Sequence, residues 1–294
     1  MAVTVILQQG INGVVLGGLY VLVALGLTLI YGVLVQINFA HADIVTLGAF
    51  SAYFFMQRLG GGYVEAITIA FIVGAMLGWA MNAAIFAPLR KGGNELLPLI
   101  ATIGVSITME NAMLAWFGPI PYAFDSPYSN DVIRLGAAYI TVQNALIIVV
   151  SLLTIGLLYA FMKFTFLGKA LRAVAQDRET AGLMGINPDQ LVMLTFVIAS
   201  ALAGVAGAML GPALVLTPFA GTSVIVKAFA IVIIGGFGNF EGTILAGLLV
   251  GWIESYTTQY LGPGMIDIVV FALLLLMLAV RPTGLIAEER DENV

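Results

Sequence analysis

The densest polar cluster near the boundary of an apolar stretch is the segment 38–43, which reads NFAHAD. It contains the one histidine of the chain, His41, two residues before Asp43. A histidine near a carboxylate can transfer protons or bind a metal ion, but one histidine and no cysteine cannot complete a zinc site. Asn38 or Asp43 could instead cap the helix that follows. The cluster argues against catalysis and leaves two interpretations open, namely capping with polar packing, or a polar path through the apolar region.

Polar side chains also lie inside two other apolar stretches. Glu110 and Asn111 fall in the middle of one stretch, and Glu254 falls within another. Ionisable residues at membrane depth are costly and usually face a polar interior. Each of these residues therefore either lines a polar path or lies near the membrane interface beside a polar neighbour. Candidate neighbours are Asn82, Asn144 and Thr108.

Two glycine-containing segments could suggest nucleotide binding, and both fail on inspection. The segment 235–242 reads GGFGNFEG, but no strand precedes it and Glu241 stands where a dinucleotide fingerprint has its third glycine. Gly168-Lys169 lacks the Ser or Thr of a phosphate loop, because Ala170 follows. We therefore predict no nucleotide site in this chain. We predict that 235–242 is a tight reversal between two helices, and that this reversal, with Asn239, lines a cavity at membrane depth.

The composition indicates a membrane protein. Of the 294 residues, 61% are hydrophobic and 9% are charged, against about 25% charged in soluble domains. The apolar runs are continuous, which favours helices over the alternating strands of a barrel. The net charge of −5 and the absence of a basic cluster argue against nucleic-acid binding. We therefore predict one all-α membrane domain over residues 1–294.

Nine apolar stretches are candidates for membrane-spanning helices, so we expect a bundle of about eight or nine. Some approach the roughly 20 residues that a crossing needs, whereas 41–57 and 224–237 are short enough to be half-helices or re-entrant segments. The stretches are 12–31, 41–57, 63–87, 97–117, 138–161, 191–215, 224–237, 243–260 and 265–280.

Glycine spacing predicts close packing within the bundle. Four pairs of glycines are separated by three residues inside apolar stretches, a spacing that lets helix backbones approach in lipid. We expect these pairs to mediate packing within the chain rather than dimerisation; they are Gly13/Gly17, Gly74/Gly78, Gly207/Gly211 and Gly247/Gly251. The dipeptide Asn-Phe at 38–39 and again at 239–240 hints at an internal repeat.

Basic residues in the connecting loops predict the orientation. If all nine stretches cross, eight Lys and Arg residues fall on one side and three on the other. Cytoplasmic loops carry the excess of basic residues, which predicts an external N-terminus, a cytoplasmic C-terminus with an acidic tail at 282–294, and a cytoplasmic loop at 164–190. The first group is Arg90, Lys91, Lys163, Lys169, Arg172, Arg178, Arg281 and Arg290, and the second is Arg58, Arg134 and Lys227.

The loop 164–190 is a polar island with helix signals of its own. Apolar spacing predicts one amphipathic helix over 169–184, Gly185 suits a left-handed C-terminal cap, and Asn187-Pro188 suits a new helix start. Mixed charge favours a protein partner over lipid headgroups, which would select Lys and Arg. We therefore expect this loop to contact a cytoplasmic partner through Lys169, Arg172, Asp177, Arg178, Glu179, Met184 and Gly185.

Four ordered motifs resemble one family. They read INFAHADIVTLGAF, GKALRAVAQDRETAGLMGIN, GGFGNFEGTILAGLLVGWIE and RPTGL, and together they extend over nearly the whole chain. They resemble the permease of bacterial ABC importers for branched-chain and related hydrophobic amino acids, in the shorter of its two permease types. The sequence departs from the family pattern at Ala42, where the family has Gly.

The resemblance implies a non-enzymatic, multi-pass subunit of the bacterial plasma (inner) membrane that works by alternating access. It implies a second permease (a paralogue or a second copy), two cytoplasmic ATPases that use ATP and Mg²⁺, and an external solute-binding protein, with no cofactor bound by this chain. The loop 164–190 would then meet the ATPase. Urea or short amides as cargo, or an ion-coupled secondary carrier, are the competing hypotheses.

Overall fold

A computed structural model describes residues 2–90, 96–124, 126–136, 138–212 and 215–286. It is helical apart from one hairpin, β1 (Val132–Leu135) and β2 (Ala138–Thr141), and a π-helical segment, Asn82–Phe86, joins α3 to α4. The helices are α1 (Ala2–Leu34), α2 (His41–Leu59), α3 (Tyr63–Met81), α4 (Ala87–Arg90), α5 (Leu96–Phe117), α6 (Val142–Phe164), α7 (Phe166–Gln176), α8 (Arg178–Leu183), α9 (Pro188–Leu210), α10 (Ala220–Gly235), α11 (Phe240–Tyr260) and α12 (Ile266–Val280).

Each of the nine predicted stretches coincides with a helix. Within the described residues, six helical stretches are long and apolar enough to cross a membrane: 4–34, 63–90, 96–117, 142–164, 188–210 and 263–280. The shorter apolar helix α10 has 16 residues, which fits the prediction of a half-helix there. Most of the predicted acidic tail, residues 287–294, lies outside the described part.

Two predicted boundaries were wrong for local reasons. The stretch that starts at residue 138 begins as β2, and α6 starts at Val142 because the Thr141 side chain accepts a hydrogen bond from the Asn144 N–H and caps it. The stretch that was expected to reach residue 215 ends as helix at Leu210, just before Gly211-Pro212. Proline cannot continue a helix without losing a backbone hydrogen bond.

The bundle is built on two central helices, α1 and α9. Most of their spanning residues are buried inside the chain, whereas most of α5 and α12 is exposed. Helix α1 packs mainly on α11 and α9 mainly on α3, with α2 and α10 between them. The outer helices therefore leave large faces for lipid or for other subunits.

The three helices α1–α3 and the three helices α9–α11 run in opposite directions. Gln9, near the start of α1, bonds to Gln259 at the end of α11, and Tyr63 at the start of α3 bonds to the Ala208 carbonyl near the end of α9. Since α1 pairs with α11 as α3 pairs with α9, the packing indicates an inverted repeat. The Asn-Phe dipeptides precede α2 and begin α11, which occupy different places in that repeat, so the dipeptides do not mark it.

Glycines make both of these helix seams possible. A Cβ atom at Gly251 of α11 would overlap backbone atoms of Gly13 and Gly17 of α1. A Cβ atom at Gly74 or Gly78 of α3 would overlap backbone carbonyls of α9. The prediction that the glycine pairs pack helices within the chain is confirmed for three pairs and for Gly207, whereas Gly211 contacts the Phe124 ring outside the helices.

We expect Gly251→Leu to disrupt the α1–α11 seam, because the new side chain has no space between two backbones. Overpacking of this kind costs about 1–3 kcal/mol or more, so the detergent-solubilised protein should lose thermal stability. The control is Gly156→Leu on α6, where an added Cβ meets no atom within 4 Å. Equal melting temperatures for the two variants would contradict the seam assignment.

Candidate functional site

The polar cluster before and within the first turn of α2 is buried. Asn38 and His41 are 0% exposed and Asp43 is 2% exposed. The residue at the N-cap position is Ala40, and no side chain caps the helix. The capping interpretation of Asn38 and Asp43 is therefore wrong.

Asn38 and His41 lie within the bundle. The His41 ring fills the space beside Gly26 of α1, where an added Cβ would lie 2.8 Å from ring atoms and 2.9 Å from the Ala199 carbonyl of α9. The side-chain oxygen and nitrogen of Asn38 are both buried without a hydrogen-bond partner. His41 thus helps to pack α2 against the two central helices.

Asp43 faces a different side of α2, toward α5. Its carboxylate contacts the Ser106 hydroxyl and lies near the Glu110 carboxylate, both on α5. Glu110 Oε1 in turn accepts a hydrogen bond from the Thr222 hydroxyl in the first turn of α10, at 2.9 Å. We call these four side chains, Asp43, Ser106, Glu110 and Thr222, the polar strip below.

The N-terminal turns of α2 and α10 meet beside this strip. The backbone N–H of Gly221 in α10 donates to Thr46 Oγ1 of α2 at 2.9 Å. A Cβ at Gly221 would overlap the Ala42 carbonyl, so glycine is needed for this approach. Paired ends of short helices at membrane depth are a common way to build a substrate site in transporters.

One face of α5 is open and partly polar. Asn111 and Thr108 are exposed, and Glu110 is half-buried beside them. The Asn111 amide donates to the Ile107 carbonyl at 2.7 Å and the Thr108 hydroxyl to the Gly104 carbonyl at 2.8 Å. Polar groups are unfavourable against lipid, so this face fits a water-filled path or a second subunit better than hydrocarbon.

Glu254 has a partner that the sequence analysis missed. Its Oε1 lies 2.7 Å from Lys227 Nζ of α10, which also donates to the Tyr20 hydroxyl of α1 at 3.1 Å. The predicted neighbours Asn82, Asn144 and Thr108 are wrong for Glu254. The sequence analysis counted Lys227 among the loop charges, but it lies within α10. Because Lys227 and Glu254 are on different helices, their spacing in the sequence could not predict the ion pair.

The loop 164–190 contains two helices, α7 and α8, where the sequence predicted one. Asp177 is extended, ends α7, and caps α8 by accepting hydrogen bonds from the N–H groups of Glu179 and Thr180. A hydrogen bond from the Thr180 hydroxyl, followed by these backbone bonds, lowers the pKa of the Asp177 carboxyl below its usual value. Asp177 therefore fixes the angle between the two helices.

The coupling segment, as we call α7 and α8 together, is anchored at both ends. Leu171 and Val174 of α7 are buried against the bundle, and the Arg172 guanidinium donates to the Met162 carbonyl near the end of α6. Gly185 has φ +83° and Asn187 caps α9, as predicted. The backbone path from α6 to α9 is thus closely defined.

Asp189, in the first turn of α9, joins the coupling segment to α3 and α4. Its Oδ1 lies 2.6 Å from Arg178 of α8 and 3.5 Å from Arg90 at the end of α4. Arg90 also donates to Asn82 Oδ1, at the start of the π-helical segment, at 3.4 Å. One carboxylate therefore connects three helical segments at this end of the bundle.

The outer surface of the coupling segment combines charge with exposed apolar side chains. Lys169, Arg178 and Glu179 are exposed, and Leu183 and Met184 are 84% and 79% exposed. The sequence analysis did not include Leu183 among the contact residues. Its position at the end of α8, two residues before Gly185, could have indicated that it is exposed. Exposed apolar side chains beside mixed charge suit a protein contact.

Asn239 lies at the coupling-segment end of the bundle, away from the polar strip. Its side chain caps α11 by accepting from the Gly242 N–H at 2.7 Å. With Gly238 and Glu241 it lines a cavity of about 240 Å³ that also includes Arg172. The predicted tight reversal is confirmed, with positive φ at Gly236 and Gly238.

No three His, Asp or Glu side chains in the described ranges are grouped to hold a metal ion.

Comparison with known proteins gives consistent matches. The family described as "Branched-chain amino acid transport system / permease component" matches residues 10–278. The chain is 35% identical over 98% of its length to the high-affinity branched-chain amino acid transport system permease protein LivH of Escherichia coli K12, covering 97% of that protein. It is 34% identical to BraD of Pseudomonas aeruginosa, over 98% of each chain. LivM of Salmonella typhimurium is 23% identical, over 93% of this chain and 69% of LivM. No solved structure matches.

We expect Lys227→Met to destabilise the protein strongly, because it leaves Glu254 charged and buried without its cation. Removing one member of a buried pair costs about 3–5 kcal/mol. The double variant Lys227→Met/Glu254→Gln should recover much of this loss, measured as the free energy of unfolding in detergent. Additive effects of the two single substitutions would contradict a direct interaction.

Proposed function

Because the chain belongs to the family of branched-chain amino acid transport permeases, we propose that it is the transmembrane permease subunit of an ABC importer. Its cargo is branched-chain or related hydrophobic amino acids. The observation that carries this proposal is the match along almost the whole chain to LivH and BraD, which are named for that transport. The same relatives favour amino acids over urea or short amides.

Separate ATPase subunits, which bind ATP and Mg²⁺, power the transport. The chain has no nucleotide motif of its own, so it must receive the motion through contacts. The coupling segment suits that contact, because its inner face is packed on the bundle while Leu183 and Met184 are exposed. Through Arg178 and Asp189, a shift of the segment would reach α9 and α4 directly.

A second permease covers the open face of α5, and the transport path runs between the two subunits. The partly polar α5 face, with the polar strip behind it, supports this arrangement. The likeness to LivM, a second branched-chain amino acid permease, favours a paralogue as partner. An external solute-binding protein delivers cargo at the hairpin end, and lipid surrounds the remaining apolar faces.

The inverted repeat supports alternating access as the transport mechanism. Two inverted sets of helices that meet at α2 and α10 can open toward either side by tilting against each other. The subunit itself forms and breaks no covalent bond in this cycle. Its role is to hold the cargo in transit and to respond to the ATPases.

The hairpin end of the bundle faces outward in this proposal. In the described residues, Arg58 and Arg134 lie at that end, whereas Arg90, Lys163, Lys169, Arg172, Arg178 and Arg281 lie at the other. Lys91 and Arg290 lie outside the described residues, and Lys227 is inside the bundle. Cytoplasmic faces carry the basic excess, so the coupling segment is cytoplasmic and the N-terminus external.

Cysteine labelling tests this orientation, because the natural chain has no cysteine. An impermeant maleimide should label Arg134→Cys in intact spheroplasts, and should label Glu179→Cys only after permeabilisation. Both positions are exposed. The natural chain provides the unlabelled control, and the opposite pattern would invert the assigned topology.

Uptake by the purified complex in proteoliposomes tests the function. Leucine should accumulate only when ATP reaches the ATPases and the binding protein is present on the other side. A non-hydrolysable ATP analogue should abolish accumulation. Accumulation driven by an ion gradient without ATP would contradict an ABC importer and favour a secondary carrier.

In the same assay, Leu183→Ser/Met184→Ser should reduce ATP-driven leucine uptake by about tenfold or more, since removing two exposed apolar contacts weakens an interface by at least 1.4 kcal/mol. Copurification of the ATPase should fall in parallel. The matched control is Leu59→Ser, which removes an exposed leucine at the end of α2 in the hairpin half. Normal uptake and copurification by the double variant would exclude these residues from the ATPase contact.

A further inference from the structure

We propose that Asp43 and Glu110 form a binding subsite for the positively charged amino group of the cargo inside the permease. This inference rests on the proposed function, because it assigns a role in recognising a zwitterionic amino acid. It assigns a primary ammonium group as the ligand of the polar strip. Neither the family match nor the relatives' names specify which residues bind that group.

Neither carboxylate has a cationic partner in the described structure. The ion pairs found there are Arg90–Asp189, Arg178–Asp189 and Lys227–Glu254. Asp43 is buried on α2 and Glu110 is half-buried on the outer helix α5, and an ionised group without a counter-charge is unfavourable at membrane depth. Two such groups in one region attract a mobile cation.

The Asp43 carboxylate has a free binding position. Its Oδ2 atom is buried and has no hydrogen-bond partner, while the carboxylate contacts Ser106 and lies near Glu110. A buried polar atom without a partner costs about 1–3 kcal/mol, and a bound donor would remove that cost. The position therefore points to a ligand that donates hydrogen bonds.

The two carboxylates differ in their access from outside the chain. Glu110 is half-buried and adjoins the open face of α5, whereas Asp43 lies behind it at 2% exposure. A cation that arrives along the α5 face meets Glu110 first and reaches Asp43 when α2 and α5 separate. This order of contact suits a group that is held in transit rather than permanently.

An ammonium group matches the donor requirement of the strip. It carries three N–H donors and a full positive charge, and the strip offers two carboxylates together with the hydroxyls of Ser106 and Thr222. The aliphatic side chain of the cargo would then lie among the apolar residues that flank α5. A neutral amide or a carboxylic acid without the amino group would lack the charge that this site selects.

Ligand-induced thermal stabilisation of the purified complex tests the subsite without the external binding protein. The probes are leucine, 3-methylbutylamine, which keeps the amino group and loses the carboxylate, and 4-methylpentanoate, which does the reverse. The wild type should be stabilised by leucine and by the amine, but not by the acid. Asp43→Asn/Glu110→Gln should require at least tenfold more of either amine-containing probe.

The variants include controls for folding and charge. Asp43→Glu and Glu110→Asp, which keep the charges, should retain binding, and Glu65→Gln, which removes a carboxylate at the outer end of α3, should behave as wild type. Unchanged leucine binding by Asp43→Asn/Glu110→Gln would overturn the subsite. It would also be overturned if 4-methylpentanoate stabilised the wild type as much as leucine does, or if leucine or 3-methylbutylamine did not stabilise it. The proposed function is judged separately, because it fails only if the wild-type complex does not accumulate leucine with ATP.

Discussion

Close approach of helix backbones is the constraint on which the rest of this structure depends. Lipid tails are as apolar as the side chains that they touch, so helices in a membrane associate through packing and not through exclusion from water. Glycines on α1, α3 and α11 let two seams close until backbone meets backbone. Those seams fix the two central helices, and fixed central helices allow the short helices α2 and α10 to end inside the bundle.

The ends of α2 and α10 bring polar chemistry into an otherwise apolar interior. A helix that begins at membrane depth leaves backbone N–H groups to satisfy, and here the Thr46 hydroxyl accepts from one of them, the N–H of Gly221. The same region holds the carboxylates of Asp43 and Glu110. A further buried ion pair in the described part of the chain, Lys227–Glu254, ties α10 to α11. The starts of α2 and α10 thus bring polar side chains into the interior, where backbone N–H groups need partners.

The sequence predicted local features well and long-range pairing poorly. Hydropathy located the helices, and the signals at Gly185 and Asn187-Pro188 correctly identified a helix end and a helix start, because each depends on neighbours in the chain. Asp177 was overlooked as a break, since helical periodicity continues across it. The partner of Glu254 could not be found, because Lys227 lies on another helix and only tertiary packing brings them together. The distinct surroundings of His41 and Asp43 depend on which side of α2 each residue occupies, and this too needs the packed structure.

The π-helical segment Asn82–Phe86 gives α3 an adjustable length. A π turn contains more residues than an α turn of the same rise, so tightening it into an ordinary turn would rotate everything beyond it by about 100°, the angle of one residue. Arg90 lies beyond this segment and is joined through Asp189 to α8 and α9. The residues beyond this segment can therefore change their orientation while α3 itself stays packed on α9, and the glycine seam need not open for the surface around Arg90 to change shape.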